Sequence, residues 1–190
     1  MATGTGKTYT GLGAVVRLFE EKKRLAIIIV CPYQHLVEQW VEDIELFNMT
    51  PTIGYSASKQ KNWKKRLEND VLDFSIGIID TFCFVTTNAT YSTKFVSDLM
   101  EQLGPDTLLL IDEAHNFGSP SLKKRLYPNI DYRLALSATL DRHGDEEGTQ
   151  ALKDYFGEKC IEYDLNRAIK EKKLTPYSVS YTHLTLPTIA

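Results

Sequence analysis

Three short stretches of the sequence combine residue types that could act on a phosphoanhydride. The first, Ala2-Thr3-Gly4-Thr5-Gly6-Lys7-Thr8, stands at the start of a run with helical periodicity. Glycines so placed let successive backbone N–H groups curl around phosphate oxygens, and the start of a helix adds a field that favours anions. In this reading Thr3, Gly4, Thr5 and Gly6 form the cradle, Lys7 reaches the β- and γ-phosphates of a nucleoside triphosphate, and the Thr8 hydroxyl ligates Mg²⁺. A strict phosphate-loop pattern has glycine where Met1 stands; the plainer use of these residues is a small-residue turn capping a helix. The second stretch is Asp112-Glu113-Ala114-His115, directly after the apolar run Leu108 to Ile111. A carboxylate at a strand end facing a phosphate loop is placed to hold Mg²⁺, and a second beside it can orient and deprotonate water. The third, Ser137-Ala138-Thr139, follows Tyr132 to Leu136, and taken alone it is no more than a strand ending in a helix cap.

The elements that must position these residues follow from periodicity. Leu12, Val15, Val16 and Phe19 recur at helical spacing between Lys7 and Arg24, with cations gathered near the end where the helix dipole favours them. Leu25 to Cys31 is an unbroken apolar run, as in a parallel strand covered on both faces, and Pro32 ends it. The remaining pattern predicts helices over residues 34–47, 59–72, 93–103, 146–156 and 165–172. It predicts strands at residues 52–55, 75–80, 107–111, 132–136 and 159–163. Alternating strands and helices predict a doubly wound α/β sheet with right-handed crossovers. Ligands of such sheets sit at the carboxyl ends of the strands, where this reading puts Pro32, Asp80, Asp112 and Ser137.

The 190 residues carry 22 Lys+Arg against 25 Asp+Glu, a net charge of −3, and 43% are hydrophobic. That composition excludes a disordered tail and supplies a sizeable core. The acidic balance argues against binding nucleic acid through bulk positive charge but leaves room for a local contact surface. Two basic clusters stand out: Lys59, Lys61, Lys64, Lys65 and Arg66 around Trp63, and Lys123 to Arg125. Either reads most simply as a solvated helix face. Trp63, Leu67 and Val71 share helical spacing, which makes Trp63 a core residue before a base-stacking platform. No apolar run approaches the roughly 20 residues of a membrane span. Three cysteines (Cys31, Cys83, Cys160) without metal-type spacing suit a reducing cytoplasm.

Together these stretches resemble superfamily 2 helicases and translocases of the DEAH type, in particular the branch that includes type III restriction subunits and related DNA helicases. ATGTGKT is similar to the family's motif I, VCPYQHLVEQW (Val30 to Trp40) to motif Ia, and IIDTF (Ile78 to Phe82) to motif Ib. DEAH is similar to motif II and SAT to motif III, in family order from residue 2 to residue 139. AIKEKKLTPY (Ala168 to Tyr177) resembles the end of the first motor domain. The resemblance implies an α/β, RecA-like P-loop NTPase domain over residues 1–177, a mainly parallel sheet with helices on both faces, using ATP and Mg²⁺. It implies that Lys7 and Thr8 bind nucleotide and Mg²⁺, Asp112 holds Mg²⁺ through water, and Glu113 is the hydrolytic base. It further implies that His115 hydrogen-bonds towards Ser137 or Thr139, coupling nucleotide to the strand-gripping surface. Pro32, Gln34, Asp80 and Thr81 lie where such motors contact a nucleic-acid backbone, DNA more than RNA, and the partner in cis is a second RecA-like domain.

The chain departs from the family in two places. The family has a strand before motif I, whereas this sequence starts inside the loop. It also has a second motor domain carrying an arginine finger, a device contributing about 10³ to 10⁵ in rate. The expectation for these 190 residues alone is therefore feeble hydrolysis or none, a fragment that only weakly binds nucleotide or nucleic acid. The translocating part of a restriction endonuclease is a further alternative for the parent. Residues 178–190 contain VSYTHLTLPT, which resembles the translation of a transposon-based sequencing adaptor. They are expected to be a non-native tail, the alternative being an ordinary Thr/Leu-rich strand.

Overall fold

The computed structural model describes residues 6–141, 144–162, 167, 170 and 171. Its elements are α1 (Lys7–Lys22), β1 (Leu25–Cys31), α2 (Gln34–Leu46), β2 (Thr52–Gly54), α3 (Trp63–Ser75), β3 (Thr81–Thr87), α4 (Asn88–Tyr91), α5 (Lys94–Met100), β4 (Thr107–Asp112), α6 (Pro120–Lys123), β5 (Tyr132–Leu136) and α7 (Glu146–Phe156), with a 3-10 turn at Ala114–Gly118 after β4. The five strands form one sheet in the order β2-β3-β1-β4-β5. Every pairing is parallel, with Leu25 opposite Thr81, Val30 opposite Ile111 and Asp112 opposite Leu136.

The strand β1 explains why the sheet has two covered faces. All seven of its residues are buried, and successive side chains point to opposite faces. Leu25, Ile27, Ile29 and Cys31 pack with Leu12 and Val15 of α1 and with Val37, Trp40 and Ile44 of α2. Ala26, Ile28 and Val30 pack with Trp63, Leu67 and Val71 of α3, with Val96 and Met100 of α5 and with Leu152 of α7. Each large aliphatic side chain so buried contributes ~1.5–3 kcal/mol. Trp63 belongs to this core, stacked on Phe84 at 6.1 Å between ring centres.

Two strand expectations are corrected. The strand expected at 75–80 does not form: Ser75 ends α3, and Gly77, at φ 77°, closes the helix so that Ile78 and Ile79 both donate to the Asp73 carbonyl. This left-handed turn is open to glycine without steric cost. It leaves Ile76 and Ile78 exposed, and the strand is instead Thr81–Thr87. Nor is there a strand over residues 159–162. There Lys159 and Glu162 pair at 3.0 Å, and Ile161 is exposed. The expected helix at 165–172, most of its residues, and the tail at 178–190 lie outside the described residues.

Candidate active site

The carboxyl edge of the sheet gathers residues from four elements. Gly6, at φ 82° and ψ 30°, turns the chain into α1, whose first turn carries neither a side-chain cap nor an acidic residue. Among the described residues no side chain competes with an anion for its opening N–H groups. Thr3, Gly4 and Thr5 fall outside the described residues; Lys7 and Thr8 start the helix. From there the Lys7 ammonium reaches Glu113 Oε1 at 2.5 Å across 106 residues of sequence. Both side chains are largely covered, at 12% and 25% exposure.

Glu113 follows the last residue of β4 and holds a left-handed backbone, φ 48° and ψ 51°. A side chain larger than glycine in that region costs about 1–3 kcal/mol. The turn is held by Asn116, whose backbone and side-chain N–H groups both donate to the Glu113 carbonyl, at 3.1 and 2.9 Å. It brings the Glu113 carboxylate to both Lys7 and His115: Oε2 lies 3.4 Å from His115 Nδ1. The same Nδ1 lies 3.1 Å from Ser137 Oγ, and Ser137 Oγ donates to the Thr139 carbonyl at 2.5 Å. A polar chain thus runs from the start of α1 through Glu113 and His115 to the end of β5.

Asp112 is 7% exposed. Its Oδ1 accepts the Glu113 backbone N–H at 2.9 Å, and its Oδ2 accepts the indole N–H of Trp40 at 3.1 Å. Cys31 lies on the neighbouring strand; burial, and secondarily the Asp112 charge, push its thiol well above the usual 9.0. It therefore stays a neutral neighbour of the carboxylate. Hard oxygen donors from Asp112 and the Thr8 hydroxyl suit Mg²⁺, which usually takes one or two carboxylates, water and substrate phosphates. No group of three or more His, Cys, Asp or Glu suited to a metal ion occurs among the described residues.

Pro32 and Gln34 bracket the turn from β1 into α2 at this same edge. Tyr33 caps α2 without a side-chain hydrogen bond, and its exposed ring stacks on His35 at 5.6 Å. Asp80 and Thr81 are not at this edge, which corrects their expected placement: Thr81 begins β3 opposite Leu25, the first residue of β1. At about 3.3 Å per residue, the seven residues of β3 separate Thr81 from the carboxyl edge by about 20 Å. At the carboxyl end of β3 stand Thr87 and Asn88 instead. Thr87 caps α4, and Asn88 has a buried Oδ1 with no hydrogen-bond partner among the described residues. Neither is marked in the sequence by residue type or spacing, because no local pattern shows where β3 ends. Nothing in the sequence points Trp40 at Asp112; the one available signal is that a buried indole N–H needs an acceptor.

The basic clusters serve the fold in part. Lys64 sits over the Trp63 and Phe95 rings, Lys123 pairs with Glu147, and Arg125 donates to the Ser92 carbonyl at 2.9 Å.

Residues 1–142 match the family described as type III restriction enzyme, res subunit. The type I restriction enzyme EcoAI endonuclease subunit of Escherichia coli is 28% identical over 187 residues, covering 94% of this chain and 20% of that protein. A nuclease-deletion mutant of the type ISP restriction-modification enzyme LlaGI, solved with a DNA substrate mimic, is similar at a TM-score of 0.64 and 19% identity. That match covers 91% of this chain and 18% of that one. The Pyrococcus furiosus Hef helicase domain is similar at a TM-score of 0.57 and 19% identity, covering 85% of this chain and 33% of that one. The shared architecture is a RecA-like α/β domain. The chain spans about a fifth of the length of the E. coli relative.

Proposed function

The chain belongs to the type III restriction enzyme res subunit family, and on that premise we propose that it is the first motor domain of an ATP-dependent DNA helicase or translocase. The meeting of Lys7 with Glu113 at 2.5 Å, beside Asp112 at the carboxyl edge, carries the reading. Without nucleotide, the ammonium and the carboxylate neutralise each other. Phosphate oxygens arriving over the start of α1 compete for Lys7 and release Glu113 to orient and deprotonate the attacking water. Asp112 and Thr8 would hold Mg²⁺, which neutralises charge developing on the transferred phosphoryl group. His115, in reach of Glu113 and of Ser137, relays the state of the nucleotide side to the loop after β5.

The nucleic-acid backbone is proposed to lie across the start of α2, against Pro32 and Gln34, and beside Asn88, where amides and short polar side chains meet phosphates. Such contacts do not need a basic net charge. A second RecA-like domain in cis would supply the opposing surface and an arginine. The proposed compartment is the cytoplasm, in keeping with three free cysteines. No helix among the described residues is long and apolar enough to cross a membrane.

The test is nucleic-acid-stimulated ATP hydrolysis by the whole protein: Lys7→Ala or Glu113→Gln abolishes it, and unchanged turnover in either variant sinks the site. A second reading, the translocating part of a restriction endonuclease, is favoured by the E. coli relative named above. DNA cleavage by the whole protein would select it.

A further inference from the structure

We infer that Trp40 is a positioning residue for the Mg²⁺ site, acting through Asp112; this rests on the reading of Asp112 given above. Trp40 lies on α2, is 1% exposed, and aims its only polar atom at Asp112 Oδ2, 3.1 Å away and 72 residues distant in sequence. A buried indole N–H needs an acceptor, and here the acceptor is the carboxylate expected to face the cation. The two Asp112 oxygens are held by different donors, Oδ1 by the Glu113 N–H and Oδ2 by Trp40. With one donor on each oxygen the carboxylate plane is fixed, and each oxygen keeps a lone pair for the cation or its water. Groups that fix a metal-binding carboxylate from behind typically control metal affinity by 10- to 100-fold.

The packing around the ring holds the arrangement in place. Trp40 Cη2 lies so close to Gly11 of α1 that a Cβ there would come within 3.0 Å of it. The ring is therefore wedged between the helix that starts at the phosphate cradle and the strand that ends at Asp112.

The experiment measures the affinity of the whole protein for a fluorescent, hydrolysis-resistant ATP analogue with Mg²⁺ and with EDTA. The ratio of the two dissociation constants reports the metal's contribution. Trp40→Phe is expected to reduce that ratio by about tenfold while affinity in EDTA stays within about twofold. Trp63→Phe, an equal truncation at a buried tryptophan remote from Asp112, leaves the ratio unchanged. Should Trp40→Phe fail to fold, 3-benzothienylalanine at position 40 preserves the ring shape without the N–H donor, and the same loss is expected. An unchanged ratio in a folded Trp40 variant overturns the role of Trp40 alone, as does an equal weakening with and without Mg²⁺. A native chain that binds the analogue but ignores Mg²⁺ overturns the metal-site reading itself, and the inference falls with it.

Discussion

The two ends of the sheet carry similar charged residues and use them differently. At the amino end, Arg24 lies 4.0 Å over the Phe74 ring and donates to the carbonyls of Phe74 and Ile79. It also pairs with Asp80 at 3.8 Å and Asp106 at 3.5 Å. Its guanidinium ties the end of α3 and the loops before β3 and β4 to one point, with both of its hydrogen bonds made to fixed backbone carbonyls. At the carboxyl end, Lys7 and His115 engage side chains: Glu113, itself in a left-handed turn, and Ser137. Side-chain partners can be exchanged for a ligand's oxygens at little backbone cost, whereas the Arg24 carbonyls cannot be released without opening the loops. Charge and composition do not distinguish the ends; the kind of partner does.

The sharpest way to break this comparison is at Glu113. Glu113→Gln is expected to lower nucleic-acid-stimulated hydrolysis by the whole protein by about 10²–10⁴-fold, the range for a positioned general base. That is about 3–5.5 kcal/mol of barrier. Its stability should change by less than ~1 kcal/mol, the range of a partly exposed ion pair. A melting curve and a turnover assay on the same sample decide it; large unfolding with modest loss of turnover would make the carboxyl end a structural clamp like the other.

Arg24→Ala is the mirror experiment. It removes two carbonyl hydrogen bonds and a cation over an aromatic ring, and is expected to cost about 2 kcal/mol of folding stability. Nucleotide affinity under native conditions should stay the same. Urea unfolding gives the first quantity and equilibrium binding the second. Weakened nucleotide binding by a fully folded Arg24→Ala chain would contradict the division between the two ends.

Gly11 tests how tightly packing is coupled to the chemical end. A methyl group there would meet Trp40, Leu136 and Leu110 at 3.0, 3.1 and 3.2 Å. Alanine gains about 1 kcal/mol over glycine in a helix, but overpacking a filled site costs about 1–3 kcal/mol. The expected net result is a loss of about 1 kcal/mol, together with a smaller Mg²⁺ effect on nucleotide affinity as Trp40 is pushed from Asp112. A gain in stability would show that the neighbours relax freely.

Much of this was legible in the sequence where the signal is local. β1 and β5 have the bounds their apolar runs suggested, and α7 runs from Glu146 to Phe156 as its periodicity implied. The failure at β3 is instructive: Ile76, Ile78 and Ile79 look like the apolar run of a covered strand, yet Gly77 folds them into a helix cap. The ladder with β1, which sets where β3 begins, is a contact across 56 residues that no local pattern records. The acidic and glycine-rich stretches of the site were recognisable as chemistry, and the proximity of His115 to Ser137 followed from the family resemblance. The Trp40 to Asp112 contact was not legible, because the direction of a buried indole is fixed only once α1, α2 and β4 are packed together.

The smallest effect concerns Asp80, and it separates the two ends most directly. Its expected place at the carboxyl edge rests on the misplaced strand, and its expected contact with nucleic acid on the family resemblance. Asp80 in fact stands before Thr81, exposed, with its carboxylate 3.8 Å from Arg24 and its carbonyl accepting the Leu25 N–H at 2.8 Å. Asp80→Asn keeps that backbone bond and loses only a long ion pair at the surface. The expected change in stability is therefore under ~0.5 kcal/mol. Affinity of the whole protein for single-stranded DNA, measured by fluorescence anisotropy at fixed salt, should not move. Gln34→Ala and Asn88→Ala, at the carboxyl edge, should each weaken it severalfold. If Asp80→Asn alters DNA affinity as much as Gln34→Ala does, the nucleic acid reaches the amino end of β3, and the assignment of binding to one edge of the sheet is wrong.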